Sequence, residues 1–86
     1  DEHHEFFEDM KNEYSSIIEE VRKLLDNQKY ILEYPQENGM MYCKIGVDNL
    51  LSGDDLDRIM SLESERFHIE INFFEQKTII NIHKLL

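Results

Sequence analysis

Apolar residues recur along the first third of the chain at Phe7, Met10, Tyr14, Ile17, Val21 and Leu24, in alternating steps of three and four. That spacing predicts an amphipathic helix, and Phe6, Ile18 and Leu25 widen its stripe to the breadth of a core-facing surface. The opposite face carries Glu5, Glu8, Glu13, Glu19, Glu20, Arg22 and Lys23. Acids crowd the start and bases come late, which suits the helix dipole. The stretch Asp26-Asn27-Gln28-Lys29 ends the periodicity. A helix of about 21 residues has a length of about 32 Å.

The period then changes to two. In 30–34, Tyr30, Leu32 and Tyr34 alternate with Ile31 and Glu33; in 40–47, Met41, Cys43, Ile45 and Val47 alternate with Met40, Tyr42 and Lys44. Pro35 to Gly39 lies between them, and Asn38-Gly39 suits the positive φ angles of a tight turn, so 30–47 reads as a β-hairpin. Ser52-Gly53-Asp54-Asp55 has the character of a helix start, followed by a short apolar face of Leu56, Ile59, Met60 and Leu62. Phe67, Ile69, Ile71 and Phe73 alternate with His68, Glu70 and Asn72, giving a strand with the four apolar residues pointing inward. Phe74-Glu75-Gln76-Lys77 turns it, and 78–86 returns with Ile80 and Ile82 on one face.

Each half thus reads helix, strand, turn, strand. The halves also align weakly: Lys23, Leu24 and Leu25 lie on Arg58, Ile59 and Met60, and after a two-residue insertion Tyr30 and Leu32 lie on Phe67 and Ile69. The expected architecture is a single α+β domain over residues 1–86 in αββαββ order. A long N-terminal amphipathic helix and a short second helix pack on one face of a four-stranded antiparallel sheet, the simplest layered solution for these elements.

Composition adds a charge layout. The net charge is −10, and it alternates with the segments: −6 over 1–28, zero over 29–47, −4 over 48–66 and zero over 67–86. Such a chain repels phosphate backbones, which argues against direct nucleic-acid binding, and suits a basic protein partner. The plain alternative is a solvated face that keeps the chain soluble. No apolar run approaches the roughly 20 residues of a membrane span. The single Cys43 leaves no internal disulfide or thiolate cage, and the expected location is a reducing cytoplasm. The chain starts without Met, which leaves room for an upstream segment.

Little in the sequence looks like chemistry. His4 and Glu8 are one helical turn apart, but no third ligand accompanies them, and a solvated helix start outweighs a metal site. Asp48, Asp54, Asp55 and Asp57 fail the spacing of a calcium loop. Gly39, Gly46 and Gly53 stand alone and form no phosphate loop. Cys43 shares its strand face with Met41 and Ile45 and reads as a core residue rather than a nucleophile. His68 and His83 are expected to face each other across the last two strands.

The sequence therefore points to a non-enzymatic interaction protein with no cofactor and no metal: an inhibitor, a nucleic-acid mimic or an accessory subunit. Its acidic helices would meet a larger, basic-surfaced partner through Glu13, Glu19, Glu20, Asp54, Asp55 and Asp57. The alternatives are a structural or chaperone-like homodimer and a divalent-metal-binding protein. A helix of about 32 Å exceeds a four-stranded sheet about 15–20 Å wide. Phe6, Phe7, Met10 and Tyr14 are therefore the expected dimer contact, with the open sheet face at Ile31, Tyr42 and Ile79 as the other place for a second copy.

Overall fold

A computed structural model describes the backbone of residues 2–85 and the side chains of residues 11–85. The fold is α+β. Helix α1 (Glu2–Leu24) is followed by strands β1 (Tyr30–Glu33), β2 (Gln36–Glu37), β3 (Met40–Met41) and β4 (Cys43–Val47). Helix α2 (Gly53–Met60) then leads to β5 (Phe67–Phe74) and β6 (Lys77–Lys84). The main sheet has the order β1-β4-β6-β5, antiparallel throughout, and β2 pairs with β3. The two hairpins of the αββ halves therefore meet through their second strands.

One face of the sheet carries the core. Tyr14, Ile17, Ile18, Val21 and Leu25 descend from α1 and its C-terminal end, and Ile59 from α2. They meet Cys43, Ile45 and Val47 of β4, Phe67 and Ile69 of β5, and Ile80 and Ile82 of β6. The period-two reading of the strands holds at each of these positions, because adjacent strand side chains must take opposite faces. Phe73 departs from it and is 56% exposed. It lies near the turn end of edge strand β5, opposite Thr78. Met60, read as part of the apolar face of α2, is also exposed, while Ile59 alone of that helix is buried.

The first hairpin is longer than its strand assignments suggest. The pairs Glu33↔Lys44 and Gln36↔Met41 share one register, and the Tyr42 N–H donates to the Pro35 carbonyl at 3.0 Å between them. Pro35 has no N–H to return, so the ladder lapses for one rung and resumes. Asn38 and Gly39 close it at φ 53° and 79°, the two positive angles that a two-residue turn requires. The second hairpin closes over Glu75 and Gln76 at φ 49° and 65°. Neither residue is among those that adopt this conformation freely.

Two polar ties fix the helices to the sheet. The Tyr14 hydroxyl accepts from the Lys84 backbone N–H at 3.0 Å and donates to the Met41 carbonyl at 3.4 Å, joining α1 to both hairpins. Thr78, fully buried, accepts from the Leu51 N–H at 3.1 Å and donates to the Asn49 carbonyl at 2.9 Å, anchoring the segment that enters α2. The Ser52 hydroxyl then caps α2 by accepting from the Asp55 N–H at 3.2 Å, as the sequence signature predicts.

Two stability outcomes follow from these contacts. Tyr14→Phe leaves the Lys84 N–H without its acceptor and should cost about 1 kcal/mol, read as a lower urea midpoint with an unchanged m-value. Gln76→Gly relieves a left-handed backbone strain of about 1 kcal/mol and should raise Tm by about 4–8 °C in a scanning calorimeter.

Candidate functional site

The two sides of the sheet differ in cover and in charge. On the covered side, α1 and α2 pack against each other and present their polar faces outward as one layer. Glu19 pairs with Arg22 at 3.5 Å and Glu20 with Lys23 at 3.4 Å, both at the surface. Such pairs contribute little to stability and leave the carboxylates accessible. Glu13 is drawn to Lys84. Asp54 and Asp57 are exposed and Asp55 is half-buried. Asp54 and Asp55 also occupy the first turn of α2, where the helix dipole favours acids. Of the six predicted acidic residues, Glu13, Glu19 and Glu20 thus lie on α1 and Asp54, Asp55 and Asp57 on α2.

The expected dimer contact on α1 has a different outcome. Tyr14 is fully buried against the chain's own sheet, with its ring 5.5 Å from that of Phe67. It has no surface to offer a second copy. The side chains of Phe6, Phe7 and Met10, and of His4 and Glu8, lie outside the described residues.

The other side of the sheet is uncovered, and the register assigns its side chains. Rungs of β1 and β4 set Ile31 opposite Gly46 and Glu33 opposite Lys44. The Asp48 N–H donates to the Lys29 carbonyl at 2.9 Å, which adds a Lys29–Asp48 rung beyond the last assigned pair. On β6, Ile79 continues the Ile31–Gly46 row and Asn81 the Glu33–Lys44 row. Lys77 reaches Asp48 at 3.5 Å. A groove of about 420 Å³ runs over this region, with Ile31 and Ile79 on its walls and Gly46 at its floor. A Cβ at Gly46 would meet no atom within 4 Å, so the hollow is real space rather than a close backbone approach.

Charge nearly balances on this side. Lys29, Lys44 and Lys77 stand against Glu33, Glu37, Asp48 and Glu70, so most of the net charge of −10 belongs to residues off this face. His68 and His83 are cross-strand partners here, as the sequence predicts. His83 stacks on Tyr42 with ring centroids 4.7 Å apart, and His68 Nδ1 lies 3.4 Å from Glu63 Oε2. That same Glu63 oxygen accepts from the Ile69 N–H at 3.2 Å, which fixes the carboxylate at the β5 edge.

Among the described residues, no three His, Cys, Asp or Glu side chains converge as a metal site would require. No helix in that range is long and apolar enough to cross a membrane. Cys43 is fully buried in the core, and burial pushes its thiol up to about 12. The chain matches no family model, no curated protein and no solved structure in comparisons with known proteins.

Hydrophobic alternation marks Ile31 and Ile79 as belonging to the uncovered face. The hollow at Gly46 escapes it, because a glycine carries no hydropathy signal in a strand. A two-residue turn at Asn38-Gly39 nonetheless fixes every pair along the hairpin, and Ile31 opposite Gly46 follows from that count.

The state of Cys43 sets an alkaline outcome. The folded thiol holds its proton to a higher pH than an unfolded one at 9.0, so its share of stability is complete below pH 9 and is lost as the pH climbs towards 12. Burial also raises Tyr14, in the same direction. Tm should therefore decline from pH 9 to 11, and Cys43→Val should reduce the decline. The folded thiol should resist iodoacetamide at pH 8 and react only in denaturant.

Proposed function

We propose that this chain is a non-enzymatic protein-binding module whose acidic helical layer docks a larger partner with a basic surface. One observation carries the reading: charge is segregated by layer. The uncovered sheet face carries a net charge of only −1, from three bases against four acids, whereas most of the chain's excess of −10 belongs to residues off that face. A charge excess kept only for solubility has no need to avoid one face. A field concentrated on one side steers an oppositely charged partner and orients it on encounter.

Within the layer, Glu19, Glu20 and Asp57 carry the most weight. Asp54 and Asp55 serve the α2 dipole and cap, and Glu13 is engaged by Lys84. Glu19 and Glu20 are each tied only to a solvent-exposed base one turn later. Such a base can be displaced at little cost when a partner supplies a better one. In this reading the module acts by occupying a basic surface, as an inhibitor, a nucleic-acid mimic or an accessory subunit does.

The test is capture by immobilised protein from a lysate of the native host. Wild type is compared with Glu19→Lys/Glu20→Lys and with Asp54→Lys/Asp55→Lys. The α1 reversal should leave Tm within about 2 °C, since exposed charges contribute little, yet shed the bound protein. Raising salt from 0.1 M to about 0.5 M should shed it as well, because screening shortens the reach of exposed charges to a few ångströms. Equal capture by wild type and both variants would overturn the proposal.

A further inference from the structure

We propose that the uncovered face of the β1–β4 hairpin is a self-complementary surface that takes a second copy of this chain. Three rungs carry the proposal. Read along the hairpin on that face they are Lys29–Asp48, Ile31–Gly46 and Glu33–Lys44. In each rung the β1 residue is the counterpart of its β4 neighbour: base to acid, projecting side chain to hollow, acid to base.

A two-fold axis running along the strands, between β1 and β4 and just above the face, lays β1 of one copy over β4 of the other. Lys29 then lies over Asp48 of the second copy, Ile31 over its Gly46, and Glu33 over its Lys44. The same three contacts repeat from the other side. This is the isologous arrangement that a two-fold demands. Two sheets related in this way have aligned strands and stack about 10 Å apart, which is ordinary sandwich packing.

Each element of the match is available. Ile31 is 67% exposed, an unusual state for an isoleucine in a strand, and the hollow over Gly46 lies directly beside it. Among the described residues, Lys29, Glu33 and Lys44 form no ion pair within the chain, although Glu33 and Lys44 are cross-strand neighbours. Asp48 pairs with exposed Lys77 at 3.5 Å. The face is also nearly neutral in a chain with net charge −10, so two copies can approach there without opposing strongly like-charged surfaces. The result has four layers: helices, sheet, sheet, helices. Both acidic layers face outward about 30 Å apart, beyond the screening length at physiological salt. The pairing stands whether or not the acidic layer has a partner.

Sedimentation velocity on the full chain from about 5 to 200 µM tests this, at 0.15 M and 0.5 M NaCl. Wild type should dimerise with a Kd of tens of micromolar (an order-of-magnitude expectation for a modest interface). Gly46→Leu fills the hollow, where a Cβ meets no atom within 4 Å, and should weaken the dimer at least about tenfold, with the fold intact by circular dichroism. Glu33→Lys should weaken it comparably by opposing two lysines. The exchange Glu33→Lys/Lys44→Glu should restore it, because the two-fold makes the swapped pair complementary again. A wild-type monomer at about 200 µM in both salts would overturn the proposal. So would a dimer indifferent to Gly46→Leu and to Glu33→Lys, which would place the contact on another face.

Discussion

Two helices, one of them only eight residues long, can cover one face of a four-stranded sheet but not both. Most of what is distinctive here follows from that constraint. The covered face must hold the whole core, so all of Tyr14, Ile17, Ile18, Val21, Leu25 and Ile59 are used against β4, β5 and β6. The polar backbone and side-chain groups caught under the helices must then be paired. Tyr14 and Thr78 do this, each joining segments roughly a third of the chain or more apart. The uncovered face has no such obligations. Its residues are free to be chosen for water or for another surface.

The sequence is informative where burial is one-sided and strong. Alternation from Met41 to Val47 and from Phe67 to Ile71 translates directly into buried and outward positions, because a one-residue slip would turn every side chain over. It fails at Phe73, near the turn end of edge strand β5, where the pattern continues but burial does not; alternation reports the pleat, not the extent of the layer above it. The turns divide similarly. Asn38-Gly39 announces its geometry through residue type, whereas Glu75-Gln76 is forced into the same geometry by the paired strands on either side. The strand order β1-β4-β6-β5 was not legible either, since nothing local says which strands of two hairpins will meet. Thr78 gives no warning in the sequence that it is the buried anchor of the loop before α2.

The candidate surfaces show the same division. Acidic positions on α1 and α2 are visible as sequence, and their joining into one layer follows once both helices must share a face. What composition could not separate is the reason for each acid. Asp54 and Asp55 have a local one, in the dipole and cap of a short helix that needs both. Glu13 has a tertiary one in Lys84. Glu19 and Glu20 have only exposed i,i+3 pairs with Arg22 and Lys23, and Asp57 has neither a dipole nor an ion-pair role among the described contacts, so these are the acids with the least structural use.

The two surfaces also constrain each other. A chain with net charge −10 resists approach by its own kind except where its charge nearly cancels, and charge nearly cancels on the face that the helices leave bare. The β1–β4 hairpin resolves this by placing acid and base on opposite strands of the same rungs, so that one copy is the complement of another turned over. Had the two members of the Glu33–Lys44 rung carried like charges, the same two-fold would have set like charges together. The arrangement of these few residues, rather than their number, decides whether the bare face is a neutral surface or a specific one. Joining two copies there would leave both acidic layers outermost, so association and partner binding would occupy opposite sides of the molecule and need not compete.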